Sequence, residues 1–491
     1  MSANLEAIPT EVVEIIVCHL DVEDIGSLRL ACRTLRSKAS HGHFKTFFIS
    51  KKVDLREPNV QHFAAVTRHG GLGCLIETLT ITGVVYNTKA LDALLETRKE
   101  RITEHNGPIF NVRERELTSD EITKVQEDLE LLRQWRTAQA RERESDRDIR
   151  LLGDVLNNIC HNNTRPKLQS ISLDVVVYRD ATTRLEPADG GDYKQIWDTA
   201  SRTYTATMVA LASSSLLVQH LNAYGNMTRC SIPSNDVSAP APIAGLGAAV
   251  GGLKTLSLSL SNRIIEASDT DALVTDDPHD VRHGRCAPRE TMTFDALVSL
   301  ATDPSNYTGV AQLLAQAPQL LELDLHWYQL LCHSLSTVNL HFEQMLENIA
   351  ATAPLPSLRK CTLRGLEATE PSLLAFLHNS PRLVKLELRR TVLVRGTWRP
   401  VFDYVSNESC IEALTFDDLF EQKLLYFDEE GTPKFPSMGN SWGVNTLTRV
   451  GKQAVKQSIG YHFSTGRPLG SPQAYRWRSQ IQRDYGPPTR W

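Results

Sequence analysis

Apolar and polar residues alternate in a short phrase that recurs along most of the chain. Its form is L-x-x-L-x-L, with other apolar residues at some leucine positions. It begins at Ile76, Leu168, Val218, Leu253, Leu320, Leu358, Leu383 and Ile411, and the copy at Val218 is the weakest. A period of two is typical of a strand that buries one face. Each phrase therefore predicts a short β-strand.

The last four phrases also share what precedes them. LLAQAP, IAATAP, FLHNSP and YVSNES each end an amphipathic helical stretch a few residues before the phrase. The starts at 358, 383 and 411 are 25 and 28 residues apart, which is the period of leucine-rich repeats. The usual Asn or Cys after the strand is not evident, and the earlier spacings of 92, 50, 35 and 67 residues are irregular. We therefore expect an atypical leucine-rich-repeat-like α/β solenoid over residues 51–427.

Several insertions should interrupt this domain. Residues 112–150 are densely charged, and Thr118 and Glu121 have capping-box spacing, which predicts a long, solvated charged helix. Segments rich in Pro, Gly, Ser, Asp and Thr predict loops or disorder. They are residues 180–192, 232–248, 266–290 and 428–441.

The first fifty residues have a different, helical pattern. Val12, Ile15, Ile16 and Leu20 share one helical face after Pro9. Asp21 is a good N-cap for a second helix, with Asp24 in its first turn. That helix and its continuation carry a second apolar stripe of Ile25, Leu28, Cys32 and Leu35, while Arg29, Arg33, Arg36 and Lys38 lie off it. Helices this short bury too little surface to be very stable alone.

The order of residues over 1–50 resembles an F-box. The segment reads I8-P9-x-E11-V12-x-x-I15-I16-x-x-x-L20-x-x-x-D24-I25-x-x-L28-R29-L30-A31-C32-R33, with Ile8 where Leu is usual and Leu35 where Trp is common. The resemblance implies docking on a Skp-type adaptor and, through it, on a cullin-RING ubiquitin ligase. It implies adaptor contacts at Ile8, Pro9, Val12, Ile16, Ile25, Leu28 and Leu30. The alternative is the first helical pair of a larger domain.

Residues 428–491 form a basic and aromatic C-terminal tail. Between 440 and 491, eight Lys and Arg residues accompany one acid, Asp484, and seven aromatic residues are interleaved with them. Such a stretch can bind an acidic partner or single-stranded nucleic acid. The alternative, which we favour, is that it packs back on the body or caps the end of the solenoid, and we expect no nucleic acid partner.

Composition and motifs exclude several classes of function. The chain has 491 residues and a formal net charge of -5, so it is not a general polyanion binder. It has no apolar run long enough for a membrane helix, and its start does not look like a secretory signal. Nine scattered cysteines without a C-x-x-C pair fit reduced thiols in the cytosol or nucleus. We find no hydrolase, zinc-protease or P-loop motif, and expect no catalytic residue, cofactor or metal.

The resemblance to an F-box implies a non-catalytic subunit of a ubiquitin ligase complex. The F-box would dock on the adaptor, and the repeats would capture a target protein for ubiquitination. Basic residues near the strand phrases are candidates for facing the target, namely Arg364, Arg389, Arg390 and Arg395. The alternative is a repeat scaffold that mediates protein-protein interaction without ubiquitination.

Overall fold

The structure is a computed structural model. It describes residues 7–69, 71–106, 109–162, 168–190, 193–214, 216–263, 293–329, 338, 340–421, 423–429, 444–463, 480 and 483–486.

Four short helices open the chain. They are α1 (Thr10–Val17), α2 (Val22–Ala31), α3 (Arg33–Lys38) and α4 (Gly42–Thr46). Pro9 lies at the N-cap of α1, and the Asp21 carboxylate caps α2 by accepting from the backbone N–H groups of Glu23 and Asp24 at 3.0 and 2.8 Å. The predicted cap at Asp21 is therefore confirmed.

Strands and helices then succeed one another to the end of the described chain. The strands are β1 (Ser50–Asp54), β2 (Thr78–Tyr86), β3 (Lys99–Asn106), β4 (Ile109–Glu116), β5 (Ser170–Tyr178), β6 (Arg184–Leu185), β7 (His220–Ala223), β8 (Ile232–Pro233), β9 (Thr255–Ser261), β10 (Glu322–Tyr328), β11 (Lys360–Arg364), β12 (Glu367–Thr369), β13 (Lys385–Arg389), β14 (Val392–Arg395), β15 (Ala413–Asp417), β16 (Leu425–Phe427), β17 (Thr446–Val450) and β18 (Tyr461–Phe463). The helices are α5 (Glu57–Arg68), α6 (Lys89–Thr97), α7 (Ser119–Glu144), α8 (Arg147–His161), α9 (Pro187–Gly190), α10 (Tyr193–Ser214), α11 (Ser234–Ser238), α12 (Leu246–Val250), α13 (Phe294–Ala301), α14 (Ser305–Ala315), α15 (Gln344–Thr352), α16 (Glu370–His378), α17 (Trp398–Asn407) and α18 (Lys452–Val455), with a 3-10 helix at Gly71–Cys74.

One large, mostly parallel sheet organises the body. Its strands lie in the order β1-β2-β5-β7-β9-β10-β11-β13-β15-β17, with β6 beside β5 and β8 beside β9. The strands of this path follow one another in the same order in the chain and in the sheet. Neighbouring strands are parallel, except that β17 pairs with β15 in the antiparallel direction. The chain is thus a mixed α/β protein that begins with helices and continues into a large sheet.

The recurrent phrase determines which side of the sheet is buried. All eight phrases lead into strands of the large sheet, so the strand predictions are confirmed. The three apolar positions of every phrase are at most 3% exposed, as at Leu320, Leu323 and Leu325. Helices α14 to α17 precede four of these strands, as the lead-in segments predict. Alternation of the strand therefore sends every second residue to a shared core and leaves the residues between on the opposite face.

The charged insertion packs against the sheet on one side. Its capping box is present, since Thr118 and Glu121 bond each other's backbone at the start of α7. Leu129 and Leu132 are buried in a second core formed with residues from the carboxyl ends of β2 and β5. The expectation of a solvated charged helix is wrong for this side of α7, because these few apolar residues suffice to fix it on the sheet. Residues 112–150 also include part of β4, which pairs with β3, and the start of α8.

Another predicted loop is part of the core. Residues 232–248 form β8, α11 and the first half of α12, and Ile232, Val237 and Leu246 are at most 1% exposed. The loop expectation fails here because these three apolar residues, widely spaced among turn formers, are buried by neighbouring helices. Residues 180–190 contain the short elements β6 and α9. The segment 266–290 lies outside the described residues.

The first part of the predicted tail is integrated into the body. Strand β17 ends the large sheet and β18 pairs with β16. The Arg449 guanidinium is buried, pairs with Glu429 and donates to the Ser458 carbonyl at 3.1 Å. The Tyr461 hydroxyl donates to Glu421 at 2.7 Å. This arrangement agrees with packing back on the body for residues 444–463.

Candidate functional site

The N-terminal helices form a module with a small core of its own. Val13, Val17, Ile25, Ala39 and Phe44 are buried together. The Arg29 guanidinium lies 4.0 Å from the centroid of the Phe44 ring and donates to the Ser40 hydroxyl at 2.9 Å. Burial, followed by the nearby Arg36 charge, lowers the pKa of Arg29. Arg29, which lies off the predicted apolar stripe, is partly exposed and also covers the core through its cation-π contact.

Helix α1 is apolar on two faces. One face places Val13 and Val17 in the core. The other exposes Val12, Ile15 and Ile16, whose i, i+3, i+4 spacing puts them side by side. On α2, Val22 and Leu30 are also exposed, Leu30 by 88%. We call Pro9, Val12, Ile15, Ile16 and Leu30 the exposed apolar set. Val12, Ile15 and Ile16 share one face of α1 and are thus more than scattered single side chains, and exposed apolar surfaces of this kind mark interaction sites.

The structure separates the predicted adaptor contacts into three kinds. Pro9, Val12, Ile16 and Leu30 are exposed and available to a partner. Ile8 and Leu28 are half-buried and pack against the module's core. Ile25 is fully buried, so its assignment as a direct contact is wrong: its side chain points into the module and supports the helices.

Ile15 is a surface residue that the predicted contact set omits. Its side chain is 63% exposed on the same face as Val12 and Ile16. The sequence carried a signal for it, because Ile15 is in the predicted stripe. The stripe predicts a shared face for these residues, and the structure shows that this face is exposed at Val12, Ile15 and Ile16, while Val13 and Val17 form the buried face.

The open face of the large sheet is polar. Strand registers align its residues in rows that cross the sheet. One row contains His220, Thr255, Glu322, Lys360 and Lys385, the next contains Asn222, Ser257, Asp324, Thr362, Glu387 and Thr415, and a third contains Ser259, His326, Arg364, Arg389 and Asp417. A shallow groove follows the first two rows from β5 to β11. We call this surface the polar face.

Ion pairs fix the charged part of the polar face. The Arg364 guanidinium donates to both carboxylate oxygens of Asp324, at 3.0 and 2.9 Å, and to the Gly225 carbonyl at 2.9 Å. Lys360 reaches Glu322 at 3.2 Å, also from β11 to β10. A bidentate arginine-carboxylate pair holds both groups in a defined geometry. The Arg364 guanidinium is therefore held in one orientation on the polar face before any partner binds.

The other three predicted target-facing arginines have different surroundings. Arg389 pairs with Glu387 on its own strand. Arg390 follows β13 with φ of 48° and lies 5.5 Å from the Phe420 ring centroid. Burial lowers the pKa of Arg390, and the Asp418 carboxylate opposes that shift. Arg395 is exposed on β14, outside the large sheet, with Glu347 at 3.5 Å. Arg364, Arg389 and Arg390 are thus brought together, and Arg395 belongs to a different surface.

Two further features are absent from the described residues, a cluster of metal ligands and a membrane-spanning helix. No group of three or more His, Cys, Asp and Glu side chains in this part of the chain is arranged to hold a metal ion. Among the described helices, none has the length and apolarity needed to cross a lipid bilayer.

Comparison with known families gives one match. The family model described as the F-box domain matches residues 5–47, which include α1 to α4 and the exposed apolar set. No curated protein matches the chain. The N-terminal module is therefore an F-box domain, and F-box domains generally bind a Skp-type adaptor in ubiquitin ligase complexes.

Proposed function

We propose that this chain is the substrate-recognition subunit of a Skp-cullin-F-box type ubiquitin ligase. The observation that carries the proposal is the F-box match at residues 5–47, on helices that expose Val12, Ile15, Ile16 and Leu30. The chain supplies no bond-making group in this proposal. It holds a target near the ligase's charged ubiquitin, and tethering raises the effective concentration of the target's lysines.

The adaptor contact in this proposal is an apolar helix-in-groove interface. Exposed apolar side chains on α1 and α2 enter the partner, while Val13, Val17 and Ile25 keep the helices in place. Interfaces of this kind depend on a few central residues. Ile8 and Leu28, which are half-buried, contribute at the edge of the contact.

The target-binding surface in this proposal is the polar face. We interpret the large sheet as a leucine-rich-repeat-like solenoid, because successive phrases give successive parallel strands with helices between them. The polar face offers hydroxyls and amides near β7 and β9, and paired charges on β10 and β11. Such groups favour a partner with complementary hydrogen-bonding groups and charges.

A matched pair of variants tests the adaptor contact. Ile16 and Val384 are both 37% exposed, on α1 and beside β13 respectively. We expect Ile16→Asp to weaken binding of a purified Skp-type adaptor by more than about tenfold, since changing a central interface residue costs about 2 kcal/mol or more. Val384→Asp should bind as the wild type does. Equal binding by both folded variants would remove α1 from the contact.

Ubiquitination distinguishes the ligase from a scaffold that only binds partners. The full chain, reconstituted with the adaptor, cullin and RING subunits, should direct ubiquitin onto a co-purifying protein, and Ile16→Asp should abolish this transfer. If adaptor binding is intact and no co-purifying protein is modified, the scaffold function is favoured.

A further inference from the structure

A short C-terminal segment returns to the polar face. Residues 483–486 lie at the carboxyl ends of β10 and β11. The His326 imidazole Nε2 donates to the Asp484 carbonyl at 2.7 Å, and the Gln329 backbone N–H donates to the Tyr485 carbonyl at 2.8 Å. The Tyr485 ring meets the His326 ring edge-on, with centroids 5.6 Å apart. Two consecutive carbonyls and one aromatic ring thus attach the segment to the sheet.

Two glycines make this approach possible. A Cβ on Gly365, where φ is 73°, would lie 2.5 Å from the Trp327 carbonyl oxygen and 2.8 Å from Cδ1 of Tyr485. A Cβ on Gly486, where φ is 87°, would lie 1.8 Å from the Gln329 carbonyl oxygen. Gly365 directly follows β11 and Gly486 lies in the segment, so each side of the contact has a glycine at the point of close approach. We call His326, Gln329, Gly365 and Arg390 the Tyr485 socket.

The socket is fixed in place by buried polar groups. Because a carbonyl can only accept, Nε2 of His326 carries the proton, and Nδ1 of the neutral ring accepts from the Ser259 hydroxyl at 2.9 Å. Ser259 in turn contacts the buried Ser231 hydroxyl at 2.9 Å. This relay orients the imidazole toward whatever carbonyl lies on the polar face.

The charges of the socket suit a neutral aromatic ring. The Arg390 guanidinium carbon lies 5.8 Å from the Tyr485 ring centroid, within range of a cation-π contact. Burial raises the pKa of Tyr485 to about 12, although the Arg364 and Arg389 charges oppose the shift. The hydroxyl therefore stays protonated at neutral pH, and the ring enters as a phenol.

We propose that the Tyr485 socket is a peptide-binding site that the chain's own C-terminal segment occupies, and that a target segment carrying a tyrosine followed by glycine displaces it. This proposal rests on the proposed role of the polar face in target binding. Residues 483–486 contact the socket through their own backbone carbonyls, one ring and a glycine, and another chain can present all of these groups. The groove from β5 to β11 includes Asp324, the partner of Arg364, so a peptide in the groove can extend to the socket.

The test uses full-length protein and a fluorescent peptide of the sequence QIQRDYGPPT, residues 480–489. Gly486→Ala should release the internal segment because the new Cβ would overlap the Gln329 carbonyl. We expect the peptide to bind this variant at least about tenfold more tightly than the wild type, since a tethered competitor lowers apparent affinity. The same peptide with alanine for tyrosine should not bind.

Gly451→Ala is the matched control. Gly451 also has positive φ, 96°, but a Cβ there meets nothing within 4 Å. This variant should bind the peptide as weakly as the wild type. A second variant, Tyr485→Ala, removes the ring without adding bulk and should also bind the peptide more tightly.

Hydrogen exchange at the Gln329 amide reports the state of the socket directly. The amide should lose protection in Gly486→Ala and recover it when the peptide is added. Full loss without recovery, or equal peptide binding by all proteins, would overturn the proposal and make the segment a structural part of the fold. The assay contains no adaptor and no ubiquitin, so failure of the ligase function would not affect its result.

Discussion

The F-box module and the large sheet differ in what they leave exposed. The module has a core of five buried residues and exposes Ile15 and Leu30 to solvent. The large sheet buries every apolar position of its eight phrases and exposes hydroxyls, amides and paired charges. One region thus presents apolar surface above a small core, and the other presents polar surface above a large core.

This difference suggests two kinds of recognition. Apolar contacts are non-directional and depend on area removed from water, which suits a constant partner. Polar contacts require matched donors and acceptors and penalise a mismatch, which suits selection among partners. This difference supports the proposal that the exposed apolar set binds the adaptor and the polar face binds a target.

The largest expected effects come from separating core from surface inside the F-box module. Ile25 is fully buried and Leu30 is 88% exposed, and both are on α2. Ile25→Ala should lower the free energy of unfolding of the module by about 2–5 kcal/mol, the usual cost of removing a buried aliphatic side chain. Leu30→Ala should change it by less than about 0.5 kcal/mol.

Adaptor binding should depend on Leu30 directly, although Leu30→Ala hardly changes the stability of the module. Leu30→Ala should weaken the adaptor complex while the helices remain folded, as followed by circular dichroism and titration calorimetry. If Leu30→Ala destabilised the module as much as Ile25→Ala, the distinction between its core and its surface would fail.

The recurrent phrases and helix α1 show what the sequence could and could not predict. Eight phrases predicted eight strands, because three apolar positions in L-x-x-L-x-L specify both the strand and the face it buries. On a short helix such as α1, apolar residues occupy two faces, and the spacing of Val12, Ile15 and Ile16 does not say which face is buried. The contact at Ile25 is implied by the family resemblance alone, which does not distinguish a side chain that touches the partner from one that supports the helices from inside.

Other features had no local signal. Strand β1 has the sequence SKKVD, with Val53 as its one apolar residue, and it forms by pairing with β2. The Tyr485 socket joins His326 to Asp484, which are 158 positions apart. Arginines near the strand ends predicted part of this region, but the close approach at Gly365 depends on the folded sheet.

A smaller effect should appear when pH is lowered, and it belongs to the sheet. Burial, followed by the Arg364 charge, lowers the pKa of His326 to about 3, whereas an unfolded histidine titrates near 6.5. Between these values the unfolded chain binds the proton and the folded chain does not. Stability is therefore unaffected above about pH 6.5 and falls as the pH drops below it, by about 2 kcal/mol between pH 7 and 5.

His326→Gln should remove this part of the pH dependence. Urea unfolding at pH 7 and pH 5 measures it, as the difference between wild type and variant. An identical pH dependence in both proteins would show that His326 takes up a proton in the folded state.

The smallest expected effects compare a helix cap in each region. Asp21 caps α2 from an exposed position, and Thr369 caps α16 from a buried capping box in which its hydroxyl bonds Ser372 and Glu347. Asp21→Ala should cost about 1 kcal/mol, because water can replace the lost acceptor. Thr369→Ala should cost more, between about 1 and 2 kcal/mol, because it leaves the buried Ser372 N–H without its partner.

Thermal unfolding of the full chain, with separate probes for the helices and the sheet, measures the loss of stability in both variants. Equal costs would mean that water reaches the Thr369 cap. The difference in burial between the F-box module and the sheet domain would then not extend to their helix caps.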